Sequence, residues 1–272
     1  MLRARVLRLL VAVTVAAAAP AARAEPPEPL RYELAADLVV TAGAGAFYLL
    51  TEIFNEHVGP RECRWCTVNG LDASIREDLV WDEPKSARAA SDVVAFGILP
   101  AAVLGHALLA AREAGDLGAG WVDLLLVAQA AAIAVDLNQL TKVAVGRQRP
   151  FAHFGNYEDP NRPPERDDNW SFYSGHVSLA FSLVAAAGTV STMRGYSSAP
   201  WVWGVGMALA ASVAWFRVAG DMHYFTDVLT GAAVGTVVGA AVPWLFHRPA
   251  RAAERGGGVR VLPTLGGVLV IF

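Results

Sequence analysis

Of the 272 residues in the chain, 54% are hydrophobic and only 17% are charged, and the formal net charge is -3. With a positive mean hydropathy, this is the balance of a polytopic membrane protein, and the length suits one bundle of about six spanning helices. No basic stripe stands out to engage a phosphate backbone, which argues against a nucleic-acid partner.

Residues 1–24 read as a secretory signal. Arg3, Arg5 and Arg8 precede an apolar run from Leu9 to Ala19, which is short for a span, and Ala22-Arg23-Ala24 closes it. Prolines 26, 27 and 29 make residues 25–33 an extended linker. Residues 34–247 are then the expected membrane domain. Within it, Leu38 to Phe54 is a marginal stretch carrying Thr41, Thr51 and Glu52, and it either crosses the bilayer or lies on its surface. The expected number of spans is therefore five or six. Residues 55–90 are polar and form an expected extramembrane cap containing Cys63 and Cys66. A lone Cys-x-x-Cys cannot complete a zinc site unaided, and a disulfide on the oxidising side of a membrane is the expected use, ahead of two inert thiols.

Better spans follow at Val93–Ala111, Trp121–Leu140, Val177–Met193, Gly195–Phe216 and Val228–Phe246. Asp123, Gln129, Asp136 and Asn138 turn the second of these towards the bundle interior, where Asp136, Asn138 and Gln139 are expected to satisfy polar groups. The last is rich in glycine and alanine and suits close helix packing. Trp121, Trp201, Trp203 and Trp244 fall near span ends, as an aromatic belt would have them. Residues 151–170 are acidic and proline-rich and read as a solvated loop. The tail, residues 248–272, has strand character at its end and is expected to form a short hairpin.

Three polar clusters interrupt the apolar second half. The first runs from Lys142 to Arg149 and Pro150. The second is Ser174-Gly175-His176, directly before an uncharged run. The third contains Arg217, His223 and Asp227. Arginine forks bind phosphoryl oxygens bidentately, and lysine adds a point charge. A Ser-Gly pair at a helix start offers free backbone N–H groups to the same anion. His223 and Asp227 are spaced to share a helix face, so the carboxylate can orient the imidazole. His176 supplies a second proton carrier near neutral pH. Each element has a plainer reading too: His176 as a cap, or His223 with Asp227 as an ordinary buried pair. Their joint occurrence favours chemistry. Arg147 is balanced between a phosphate-side cation and a lipid-headgroup contact, and Asp221 between a supporting residue and a surface one. Gly43 and Gly45 lack the strand–turn–helix setting of a nucleotide loop.

The clusters resemble the signature of the type 2 phosphatidic acid phosphatase superfamily, which includes soluble acid phosphatases and vanadium haloperoxidases. Lys142, Arg149 and Pro150 match its Lys-x6-Arg-Pro; Ser174, Gly175 and His176 match Pro-Ser-Gly-His; Arg217, His223 and Asp227 match Ser-Arg-x5-His-x3-Asp. Tyr173 replaces the usual proline and Phe216 the usual serine. The resemblance implies an all-α transmembrane bundle with a phosphatase/haloperoxidase-like core. It implies that His223 attacks phosphorus to form a phosphohistidine with Asp227 holding its ring, and that His176 protonates the leaving group. Lys142, Arg149, Ser174, Gly175 and Arg217 would bind the phosphoryl oxygens, without metal or cofactor.

The expected activity is hydrolysis of a lipid phosphate monoester or diphosphate in a bacterial inner membrane. Undecaprenyl diphosphate, phosphatidylglycerol phosphate, phosphatidate and lipid A phosphates are the candidate substrates, with membrane lipids as the other partners. The three clusters fall on one side of the membrane, expected to be the periplasm. The alternatives are a lipid phosphotransferase, a haloperoxidase and a non-catalytic scaffold that retains the motif.

Overall fold

The computed structural model describes residues 27–157, 159, 161–249, 260–264 and 267–271. The signal-like segment 1–24 lies outside the described residues. Among the described residues, six helices are long and apolar enough to cross a membrane. They are α1 (Leu34–Ile53), a continuous helix from Pro84 to Glu113, α6 (Leu117–Val145), α8 (Gly175–Arg194), α9 (Ala199–Ala219) and α10 (Phe225–Phe246). Successive spans run in opposite directions, and the chain is a multi-pass membrane protein.

The second span begins nine residues before the expected start at Val93 and has three parts: α4 (Pro84–Asp92), a wider π-helical turn (Val93–Ile98) and α5 (Leu99–Glu113). Pro100 gives a reason for the widening, because it has no N–H to close the α-helical bond to the preceding turn. The marginal stretch is a full helix. α1 lies alongside α6, with Gln129 donating to Asp37 at one end and Gln139 donating to Glu52 at the other. Its outer face is apolar: Val39, Leu49 and Ile53 are exposed, as lipid-facing side chains would be.

α8 is the central helix, with 67% of its apolar window buried against 6% for α1. The reason is visible in α10, where Gly231, Gly235 and Gly239 recur every four residues along one face. They lie against the backbone carbonyls of Ser174, Ser178 and Ser182 on α8, and a Cβ on Gly231 would come within 2.7 Å of the Ser174 oxygen. Small residues let the two backbones approach closely, and this contact fixes the start of α8 beside the start of α10. Two apolar clusters fill the bundle. One contains Val94, Leu99, Val177, Val184, Val213 and Val228, and the other contains Val103, Leu126, Val127, Val190 and Val242. Trp121, Trp201 and Trp244 are exposed near the bundle end opposite the three polar clusters. Trp203 instead packs over Gly188 and donates to Thr192 Oγ1 at 3.3 Å.

The cap carries α2 (Asn55–Val58) and α3 (Gly70–Leu79), and Cys63 and Cys66 are joined by a disulfide. Residues 151–170 are not a uniformly solvated loop. α7 (Pro150–His153) opens the segment and a 3-10 turn (Arg166–Asn169) closes it, with Asp168 and Trp170 only 4% and 2% exposed. At the tail, β1 (Arg260–Thr264) pairs antiparallel with β2 (Gly267–Ile271), Arg260 opposite Ile271.

Candidate active site

Four helix ends meet on one face. α6 ends at Gly146, whose left-handed backbone (φ 59°) stops the helix just after Lys142 and releases the strand-like Arg147-Gln148-Arg149. α8 begins after Ser174, α9 ends just past Arg217, and α10 begins after Tyr224. The turn between α9 and α10 is tight. The Met222 and His223 N–H groups both donate back to the Arg217 carbonyl, at 3.2 and 3.3 Å, and Asp221 takes a left-handed φ of 58°. That conformation is uncommon for a residue with a side chain and needs support. Arg76 of α3 supplies it with a fork onto the Asp221 carboxylate at 2.7 and 2.6 Å, and Asn156 adds a bond at 2.9 Å. Asp221 is therefore a fully buried structural residue, and the cap braces the turn that carries His223.

His223 is 2% exposed. Its Nδ1 lies 2.8 Å from the backbone carbonyl of Ser171, and a carbonyl can only accept, so Nδ1 carries the proton and Nε2 is bare. Burial, reinforced by Arg149, Arg217, Lys142 and His176, holds the imidazole well below its ordinary value of 6.5. The ring is therefore neutral at neutral pH, with its nucleophilic nitrogen free.

The expected shared helix face of His223 and Asp227 is not what forms, because α10 starts only at Phe225. Asp227 Oδ2 is 3.7 Å from His223 Nδ1, too long for a hydrogen bond. It accepts instead from Ser171 Oγ at 2.5 Å and from the Tyr224 N–H at 3.0 Å, capping its own helix. Asp227 thus reaches the imidazole through Ser171, whose hydroxyl it holds and whose carbonyl receives Nδ1–H.

Arg147 fits neither of its expected roles. It is 1% exposed, donates to Asp227 at 2.5 Å and to Asp72 at 2.7 Å, and lies between the rings of Trp65 and Tyr224 at 4.1 and 4.2 Å. Asp72 also accepts from the Thr226 N–H and hydroxyl. This buried network ties the cap to the first turn of α10, and Arg147 faces protein on every described side.

The phosphate-binding candidates converge. Lys142, Arg149 and Arg217 are 8%, 5% and 4% exposed. A Cβ on Gly175 would lie 2.7 Å from Asn138 Oδ1, so glycine lets the start of α8 seat against Asn138 of α6, next to Lys142. Asn138 donates to the Tyr173 carbonyl at 2.6 Å and anchors the turn in which Tyr173 replaces proline. Arg149 is set by Asp167, which accepts from Nη2 at 2.7 Å. Burial would raise the Asp167 carboxyl, but Arg149 and Lys142 together outweigh it and hold it below its ordinary value. Arg217 donates to Ser91 Oγ at 3.2 Å. Among the described residues, Ser174 Oγ and Arg217 Nε are buried without a protein partner. Buried donors without a protein partner beside three cations are groups that can receive an anion.

His176 Nε2 lies 2.9 Å from Asp92 Oδ1, and the same oxygen is 3.7 Å from Arg217 Nη1. Sequence reasoning missed Asp92 and Asp167. The signal for Asp92 was available: a carboxylate next to Val93, at the span end that parity puts on the site's side. Asp167 was hidden in a run of charges with nothing to separate it from solvated neighbours.

A comparison with curated proteins finds no match. Among solved structures, the first transmembrane PAP2 type phosphatidylglycerolphosphate phosphatase from Bacillus subtilis is similar, at 17% identity and a TM-score of 0.47 over 76% of this chain and 95% of that one. The family model described as PAP2 superfamily matches residues 123–251. That segment holds all three polar clusters.

Proposed function

We propose that the protein is a membrane phosphatase that removes phosphate from a lipid phosphate monoester or diphosphate by way of a phosphohistidine. The observation that carries the reading is the His223 tautomer: Nδ1–H is committed to the Ser171 carbonyl, so Nε2 is bare, and burial with the charges of Arg149, Arg217 and Lys142 keeps it unprotonated. The match of residues 123–251 to the PAP2 superfamily model supports phosphatase activity, and the six apolar spans among the described residues support a lipid substrate arriving from the bilayer.

In the first step Nε2 of His223 attacks phosphorus while the bond to the leaving oxygen breaks and His176 gives that oxygen a proton. Lys142, Arg149, Arg217, Ser174 and the N-terminus of α8 bear the charge on the phosphoryl oxygens. In the second step water attacks the phosphohistidine, His176 takes its proton, and the N–P bond breaks. Neither step requires a metal. Asp227 and Arg147 keep Ser171, and through it the imidazole, in place.

The bridged Cys63 and Cys66 lie on the same face as the site and support an oxidising, periplasmic location. With α1 crossing, residue 34 and the arginines after α10 then lie in the cytoplasm, which agrees with the excess of Arg near both ends.

The test is phosphate release in detergent from a panel of lipid phosphates, with acid-labile phosphate trapped on the protein. Release that needs an added acceptor lipid would turn the reading into a phosphotransferase. No trapped phosphohistidine on any substrate would end it.

A further inference from the structure

We infer that Asp92, outside the matched residues 123–251, is a positioning residue of this reaction that holds His176 through Nε2 and commits Nδ1 to proton transfer. The inference rests on reading His176 as the proton donor.

Asp92 is the last residue of α4, and with Ser91 it grips two parts of the site at once. Asp92 Oδ1 is 2.9 Å from His176 Nε2 and 3.7 Å from Arg217 Nη1, while Ser91 Oγ accepts from the same Arg217 nitrogen at 3.2 Å. The helix widens directly after Asp92, in the π-helical turn Val93–Ile98, and Phe96 in that turn meets the His176 ring edge-on at 4.8 Å. Such turns commonly re-aim side chains at functional sites. The imidazole is therefore held at its nitrogen and across its plane by one short stretch of chain.

The chemistry follows from the donor and acceptor roles. An ionised carboxylate only accepts, so His176 Nε2 carries a hydrogen, and the nitrogen left to exchange protons is Nδ1. In the imidazolium, Nδ1–H goes to the leaving oxygen as its bond to phosphorus breaks, and the ring stays neutral with Nε2–H on Asp92. In the second step Nδ1 takes the proton from the attacking water. The charged and titratable groups facing His176 are Asp92 from α4, Arg217 from α9, Lys142 from α6 and His223 from the turn before α10. Two of these are cations that oppose a second proton on the ring. Asp92 is the carboxylate that favours it.

The test uses full-length protein in detergent, two phosphate monoesters and single-turnover release of the leaving alcohol or phenol, which reports the first step alone. One has an alkyl leaving group, which needs a proton, and the other p-nitrophenol, which leaves as its anion. For Asp92→Asn, alkyl phosphate cleavage is expected to fall about 10- to 100-fold, and nitrophenyl phosphate cleavage less than about 3-fold, as loss of acid assistance requires. The basic limb of the alkyl kcat profile should move to lower pH, and Asp92→Glu should recover most of the rate. An equal loss on both substrates, or no loss on either, would overturn the role of Asp92. A wild-type protein that forms no phosphohistidine would instead remove the underlying reading, so the two failures are distinguishable.

Discussion

Both ends of the bundle bury charge, and they do so differently. At the end away from the site, Arg194 donates to Asp123 at 2.7 Å and Tyr196 adds a bond to the same carboxylate at 3.1 Å. Asp37, Gln129 and His247 form a second chain there, His247 donating to the Arg31 carbonyl at 3.0 Å. None of the side chains of Asp123, Arg194, Tyr196, Gln129 and His247 has a buried polar atom left without a partner. At the site end, Lys142, Arg149 and Arg217 share Asp92 and Asp167, and Ser174 Oγ and Arg217 Nε remain unmatched among the described residues. One-to-one pairing with satisfied donors holds helices together. Surplus cations with unmatched donors suit the anion that the proposed reaction would bind and release.

The sharpest way to break the contrast is to remove the nucleophile. His223→Ala should reduce turnover by about 10³-fold or more and abolish trapped phosphohistidine, because the residue acts as part of a unit. Retained turnover on lipid phosphates would place the chemistry elsewhere.

Next is Arg149→Met, which removes a phosphoryl-oxygen donor and one of the cations that hold His223 low. Turnover should fall about 10²- to 10³-fold, by analogy with the loss of an oxyanion donor. The His223 titration, followed by NMR, should move upward. In the wild type the neutral ring is kept as pH falls through 6.5, and the acid limb of kcat/KM lies well below that value. In the variant the limb shifts to higher pH. An unmoved titration would mean that Arg149 does not face the ring.

Arg147→Met tests the supporting network. It leaves Asp72 and Asp227 buried without their cation, so stability should fall by about 3–5 kcal/mol. Denaturation in detergent measures this, and an exposed role for Arg147 would give almost no change.

The smallest effect on chemistry is expected at the far end. Asp123→Asn should cost stability on the same scale, about 3–5 kcal/mol, yet leave kcat of the folded protein near the wild-type value. A large drop in kcat with unchanged stability would erase the distinction between the two ends.

Much of the site was legible in the chain because short-range spacing carries it. Lys142 and Arg149 flank a helix end that Gly146 marks, and Ser174-Gly175 reads as a helix start. The pairing of His223 with Asp227 was misread. A spacing of four implies a shared face only inside a helix, and here the helix begins between the two residues. Arg147 read as a phosphate-side cation or a lipid-headgroup contact because nothing in its neighbours shows Trp65, Asp72 and Tyr224 closing over it. Asp92 lies 50 residues before Lys142 in the chain. Its partnership with His176 arises only when the second span packs against α8 and α9.

The sequence alone determined that this chain is a bundle of membrane helices, because apolar length and composition leave the backbone no other way to satisfy its hydrogen bonds in a bilayer. It also put the three polar clusters at helix ends, where the structure brings them together on one face. The tertiary structure decided which carboxylate holds which cation, which nitrogen of His223 is bare, and that a cap residue braces the catalytic turn. Those outcomes depend on contacts between segments far apart in the chain, and such contacts leave no local periodicity to read.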